Sequence, residues 1–332
     1  ENKISFIFLF SLVFSSLEFV RGHVLTGFPW NLISYTWSWS LESLQVLSLI
    51  GTYSLSLLSV TLFCTPLLLF EKKIKKKNIF YILILLGIFI SNYFYGFHKI
   101  NKANYVYDKN FNIKIVSPNF SLQDYNLGSE LSQIKRLIKI SDPIKDEKTL
   151  FIWPEGIFYE SYLDDIKKYK DLFIKNFSEN HLIVLGINSF AINENLKEKN
   201  YFNSLVLLNN KLEILSVYNK INLVPFGEFL PFENLLSKFG LKKITSGYNS
   251  FSPGIIRPLI NLNNQFNNRS ILPLICYEII YSGKIKNKNQ TPDLLINISE
   301  DAWFGNSIGP HQHYAKAIYR SIEEGVFIAR SA

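Results

Sequence analysis

Apolar positions are spread unevenly along the chain. Residues 4–20, ISFIFLFSLVFSSLEFV, form a nearly unbroken apolar run, about as long as the roughly 20-residue helix that crosses a bilayer. A second run covers 44–70. A third, IFYILILLGIFI at 79–90, continues into the aromatic NYFYGF, so a span over about 79–97 is expected. Three membrane helices are therefore predicted within a membrane domain of residues 1–98. From about residue 114 the pattern shortens. IKIVSPN (113–119), TLFIWPE (149–155), HLIVLGIN (181–188), FNSLVLL (202–208), LEILSVYNK (212–220), RSILPLICYE (269–278) and DLLINIS (293–299) read as strands, several apolar on both faces. LGSELSQIKRLIKI (127–140) and YLDDIKKYKDLFIKNF (162–177) have helical spacing. Apolar strands alternating with amphipathic helices imply an α/β layer structure with covered sheets over residues 99–332. The Asn- and Lys-rich stretches 191–200 and 284–290 read as solvated loops. The sequence has no internal repeat, Walker loop or GxGxxG.

Composition agrees with a lipid-embedded part, since 48% of residues are hydrophobic and 15% aromatic. The net charge of +8 suits either nucleic acid or anionic lipid, so the positions of the lysines decide between them. EKKIKKK, residues 71–77, lies between the second and third apolar runs. A short basic loop stays on the cytoplasmic side, which puts the loop after Val20 and everything after about His98 on the outer side. Trp30, Trp37 and Trp39 in that outer loop suit an interfacial aromatic belt. Cys64 and Cys276 are the two cysteines, and they make no disulfide framework. The sequence lacks methionine and opens inside an apolar run, as expected of a fragment without its native start.

Three chemically capable residues each end a predicted strand: Glu155 after LFIWP, Lys220 after ILSVYN and Cys276 after ILPLI. Open α/β sheets react with ligands just beyond strand ends, where side chains leave the core yet stay rigidly held. A thiol needs a base or a positive charge to become a nucleophile. None of the five histidines stands at such a strand end. A carboxylate in a partly dry pocket has its pKa raised, so Glu155 is placed to accept the thiol proton and return it to a leaving group. Lys220, with the backbone N–H of Tyr277, would hold the oxyanion. His311 and His313 lack a third ligand of suitable spacing, and no metal is expected.

WPE (153–155), NKINLVPFGEFLPF (219–232), ICYE (275–278) and DAWFG (301–305) resemble, in that order, the Glu-Lys-Cys signature of the nitrilase, or carbon–nitrogen hydrolase, superfamily. Within it, the spans ahead of the domain and EFVRGHVLTGFPWN (18–31) are similar to the apolipoprotein N-acyltransferase family. The resemblance implies a four-layer α-β-β-α domain facing the periplasm, preceded by transmembrane helices of the bacterial inner membrane. It also implies Glu155 as general base, Lys220 as oxyanion-stabilising lysine and Cys276 as nucleophile. Glu228 in PFGE would orient the lysine, Tyr277 and Glu278 would support the site, and Tyr125 is the nearest candidate for a substrate-contacting aromatic. The implied reaction is ping-pong transfer of an acyl chain from a phospholipid, through a Cys276 thioester, to the α-amino group of a diacylglyceryl-cysteine lipoprotein, with no cofactor and no nucleic-acid partner. Glu300 stands where the family commonly has Asn, and it is not expected to be catalytic. FIARSA, at 327–332, is expected to precede a closing strand and a final span. Two readings stay open beside this one: a membrane-tethered amidase or nitrilase that passes its acyl group to water, and an inactive membrane scaffold.

Overall fold

The computed structural model describes residues 3–70, 75–104, 107–120, 128–193, 198–232, 238 and 250–332. Tyr125 and positions 71–74 of the lysine run lie outside the described residues. The chain divides into two compact units. The first takes in Glu1–Val106, Ile280–Lys286 and Gln312–Gly325, and the second Tyr107–Ile279, Asn287–His311 and Val326–Ala332. A single cut near residue 98 does not describe this division, because two late segments belong with the helical unit.

In the first unit, among the described residues, three helices are long and apolar enough to cross a membrane: α1 (Lys3–Arg21), α2 (Leu47–Cys64) and α3 (Lys76–Asn101). The second span continues beyond α2 as a 3-10 turn, Thr65–Leu69, with Pro66 in its first turn, where a missing N–H is harmless. Gly51 interrupts α2 with φ 73°, a conformation favoured by glycine. The break frees the Thr52 N–H, which donates to Glu323 Oε1 at 2.9 Å. Glu18 of α1 is buried, accepts the Ile33 N–H at 3.0 Å and takes a hydrogen bond from the Ser56 hydroxyl. A carboxylate on an apolar helix needs such partners.

The second unit is built on two sheets. The first orders β1 (Asn112–Ile115), β2 (Thr149–Ile152), β4 (His181–Asn193), β5 (Glu198–Asn209) and β6 (Ile214–Asn219), with β3 (Phe158–Tyr162) beside β4. β1, β2 and β4 run parallel, whereas β4, β5 and β6 form antiparallel pairs. The predicted loop at 191–200 is therefore partly strand, because the β4–β5 pairing reaches Asn193 and Glu198. The second sheet orders β10 (Phe327–Ser331), β9 (Leu294–Ile298), β8 (Ser270–Ile275) and β7 (Ile260–Asn261). FIARS is thus itself a strand, paired in parallel with β9, where the sequence suggested a segment ahead of one. Pro273 is tolerated in β8 because β7 reaches only Ser270 and Ile271, leaving that edge unpaired at the proline.

α4 (Glu130–Ser141) and α5 (Lys170–Asn176) contribute Ile134, Leu137 and Phe173 to one core, with Phe151, Ile183 and Val206 from the first sheet. The predicted helix at 162–177 begins as a 3-10 turn, Leu163–Tyr169, and becomes α-helical only at Lys170. Leu150, Val184, Leu205 and Leu207 from the other face of this sheet pack with Ile271, Ile275, Ile296 and Ile298 of the second. Burial on both faces explains the continuous apolar strands β2 and β8. α6 (Gly309–Glu324) connects the parallel strands β9 and β10 in the chain, and from Gln312 onward it belongs with the helical unit, where Tyr319 packs with Leu44, Leu47 and Leu55. The second unit is of the α/β, nitrilase-like class.

Candidate active site

β2 ends at Ile152, and Trp153-Pro154 carries the chain to Glu155, which is 9% exposed. β4 passes directly beneath it. A Cβ at Gly186 would lie 2.7 Å from Glu155 Cα, so this position in HLIVLGIN must be glycine for the strand to come so close. β6 ends at Asn219, and Lys220 follows, 1% exposed. Its main chain is fixed on both sides: its N–H donates to Asn203 O, and its carbonyl accepts the Gly254 N–H, each at 2.8 Å. The loop beyond folds back, with Glu228 N–H donating to Val224 O at 2.8 Å and Glu228 Oε2 accepting the Val224 N–H at 2.7 Å.

These elements bring the ionisable groups together. Lys220 Nζ donates to Glu228 Oε1 at 2.9 Å and lies 3.9 Å from Glu155 Oε1. Asn203 joins both carboxylates, its Nδ2 donating to Glu155 Oε1 at 2.6 Å and to Glu228 Oε1 at 2.8 Å. The second Glu155 oxygen accepts the backbone N–H of Glu300 at 3.2 Å. Glu300 therefore touches this group through its main chain, while its carboxylate accepts from Trp303 Nε1 at 3.1 Å.

Cys276 begins a 3-10 turn directly after β8 and has φ 48°. Positive φ is costly for a side chain with a Cβ and persists only where the surroundings impose it. Glu278 Oε2 accepts the N–H of Ile275 at 2.9 Å, and Asn297 Nδ2 donates to the Cys276 carbonyl at 3.3 Å. The other Glu278 oxygen accepts the backbone N–H groups of Ile221 at 3.0 Å and Asn222 at 3.2 Å, the two residues after Lys220. Glu278 is wholly buried and ties the lysine loop to the cysteine turn.

Electrostatics separate the roles. Burial raises the Glu155 pKa above the usual carboxylate range; Lys220 pulls it back, while Glu228 pushes it up. Burial works to lower Lys220, but the pull of Glu228, Glu155 and Cys276 outweighs it, and the ammonium is held well above its ordinary range. Cys276 is pushed up to about 12 by burial and then by Glu155, against opposing pulls from Lys220 and the Ser299 side chain. The resting thiol is therefore protonated at neutral pH, beside a carboxylate whose affinity for a proton is enhanced. Such a group can deprotonate the thiol as it attacks and stabilise a carbonyl oxyanion with the lysine.

The structure places Glu155, Lys220 and Glu228 in one cluster that acts electrostatically on Cys276, with Tyr277 and Glu278 in the turn that carries the thiol. Asn203 lies outside the sequence motifs that mark the other residues of this group. The signal was available: Leu205, Leu207 and Tyr218 pack between the sheets, and strand period places Asn203 on the Leu205 face and Lys220 on the Tyr218 face. Replacing Asn203 by Leu should remove a bond that lowers the Glu155 pKa. The base form of Glu155 is then lost at higher pH, so the acid limb of a kcat/KM profile should move upward and neutral-pH kcat/KM should fall about 10-fold or more. An unchanged acid limb would remove Asn203 from the proton-transfer group.

Residues 172–332 match the family described as carbon–nitrogen hydrolase, and residues 2–65 match the apolipoprotein N-acyltransferase N-terminal domain. A domain of the nitrilase class, joined in one chain to membrane helices, is what the fold and these matches define. The chain is 31% identical over 328 residues to an apolipoprotein N-acyltransferase of Rhodopseudomonas palustris and 30% identical over 328 residues to one of Bradyrhizobium diazoefficiens. Each match covers 95% of this chain and 60% of the relative. A Brucella melitensis apolipoprotein N-acyltransferase is 29% identical over 98% of this chain and 61% of its own length. The chain is thus similar over nearly its whole length to apolipoprotein N-acyltransferases, with a carbon–nitrogen hydrolase match in its later half, and it is a membrane protein. It spans about 60% of the length of the relatives it matches. Among solved structures, an amidase from Nesterenkonia sp. AN1 aligns over 67% of this chain and 75% of its own at 12% identity, with a TM-score of 0.34, too loose a likeness for comparing sites.

Proposed function

We propose that this chain carries the catalytic machinery of an apolipoprotein N-acyltransferase, with Cys276 as nucleophile, Glu155 as general base and acid, and Lys220 as oxyanion-stabilising cation. The observation that carries the reading is the buried Glu155–Lys220–Glu228 cluster acting on a cysteine at a strained strand end, in a chain that also has membrane helices. The donor is a membrane phospholipid and the acceptor the N-terminal diacylglyceryl-cysteine of a lipoprotein. The lysine run at 71–77 supports a catalytic domain on the periplasmic side of a bacterial inner membrane.

In the first half-reaction Cys276 Sγ attacks the ester carbonyl carbon as its proton passes to Glu155. Lys220 and the backbone N–H of Tyr277 hold the oxyanion, and Glu228 keeps the lysine aimed. Collapse breaks the ester C–O bond, Glu155 returns the proton to the leaving alkoxide, and the acyl chain stays on sulfur as a thioester. In the second, Glu155 takes a proton from the α-amino group as its nitrogen attacks the thioester. The C–S bond then breaks, the sulfur recovers a proton, and the lipoprotein leaves N-acylated. A water-consuming amidase could use the same residues, so the product discriminates. The protein in detergent with phospholipid and a diacylglyceryl-cysteine peptide should yield one N-acyl peptide per lysophospholipid. Free fatty acid in place of the N-acyl peptide would contradict the transferase reading.

A further inference from the structure

Arg257 belongs to none of the motifs discussed above, yet it closes the network that sets the site's geometry. Five donors converge on the buried Glu278 carboxylate: three backbone N–H groups, the Tyr218 hydroxyl at 2.5 Å and Arg257 Nη2 at 2.9 Å. Only an acceptor-only group satisfies five donors, because an amide would turn its own N–H toward one of them. A carboxyl group suits this set of donors better than an amide, and a buried carboxylate needs a cation. Arg257 supplies it. Its guanidinium also donates through Nε to Tyr218 Oη at 3.3 Å and lies 5.6 Å over the Tyr218 ring, and its carbonyl accepts from Gln290 Nε2 at 3.0 Å. Burial works to lower its pKa, but Glu278 and Tyr218 outweigh that and keep it charged.

We propose that Arg257 is a positioning residue for the reaction: it holds Glu278 as a carboxylate, and Glu278 fixes the main chain next to Lys220 and next to Cys276. The proposal rests on Cys276 being the reactive thiol, so its test reads that thiol directly. In the full chain in detergent, with Cys64→Ser to silence the other cysteine, the rate of Cys276 alkylation by iodoacetamide is measured beside acyl transfer. Arg257→Met should slow both by about 30-fold or more, and Arg257→Lys, which keeps the charge, should recover most of the loss. In a Glu278→Gln background, Arg257→Met should change either rate by less than about 3-fold, since the two residues act as one unit. Wild-type rates in Arg257→Met would overturn the proposal. So would equal losses in the Met and Lys variants, or full additivity with Glu278→Gln, because these mark a packing role that charge does not influence. A Cys276 inert to iodoacetamide in the otherwise unsubstituted chain would overturn the reading of the site itself, and this proposal with it.

Discussion

Cys276→Ala is expected to lose at least about 10⁴-fold in acyl transfer while unfolding at close to the parent temperature. Removing the nucleophile eliminates the covalent route, and the remaining groups can only bind and polarise the ester. Stability should change little because alanine removes a single sulfur atom at the margin of the inter-sheet core, and the turn that carries it is held through Ile275, Glu278 and Asn297. Alanine also tolerates the φ of 48° about as well as cysteine does, so the backbone has no new reason to move. Retained N-acylation in this variant would contradict the assignment of the nucleophile.

Lys220→Met should lose both activity and stability. The loss of the oxyanion cation costs about 10²–10³-fold in rate. Methionine also leaves Glu155 and Glu228 buried side by side without the cation that lies 3.9 Å from one and 2.9 Å from the other. Breaking a buried pair from one side costs about 3–5 kcal/mol. The pH dependence gives the sign. Lys220 lowers the Glu155 pKa, so its removal drives that already raised pKa higher. The variant's deficit should be largest at neutral and alkaline pH and shrink as acidification protonates Glu155, because the folded state then no longer buries the uncompensated charge. A variant that unfolds at the parent temperature across that pH range would mean that the lysine does not neutralise the cluster.

Much of this was legible in the sequence, for physical reasons that differ by element. β2, β8 and β9 are covered on both faces, and their continuous apolar runs announce it. β7, with two residues, and β3, irregularly paired with β4, carry too little pattern to detect. β10 offers only the short apolar run Phe327, Ile328 and Ala329 before Arg330 and Ser331, and it is defined by its pairing with β9. The extension of β4 and β5 through 191–193 and 198–200 falls in an Asn- and Lys-rich stretch whose composition reads as loop. The site divides in the same way. Glu155, Lys220 and Cys276 stand where strands end, which a linear reading can find. Asn203 and Arg257 act through geometry that folding creates: one bridges carboxylates 48 and 25 residues away in the chain, and the other pairs with a glutamate 21 residues away.

The most direct test of this account is whether the acyl chain rests on Cys276. The full chain, incubated with phospholipid and no amine acceptor, is digested and its peptides are analysed by mass spectrometry. The account predicts a hydroxylamine-labile acyl group on the peptide containing Cys276, discharged when a diacylglyceryl-cysteine peptide is added. An unmodified Cys276 in protein that still N-acylates the peptide would contradict it.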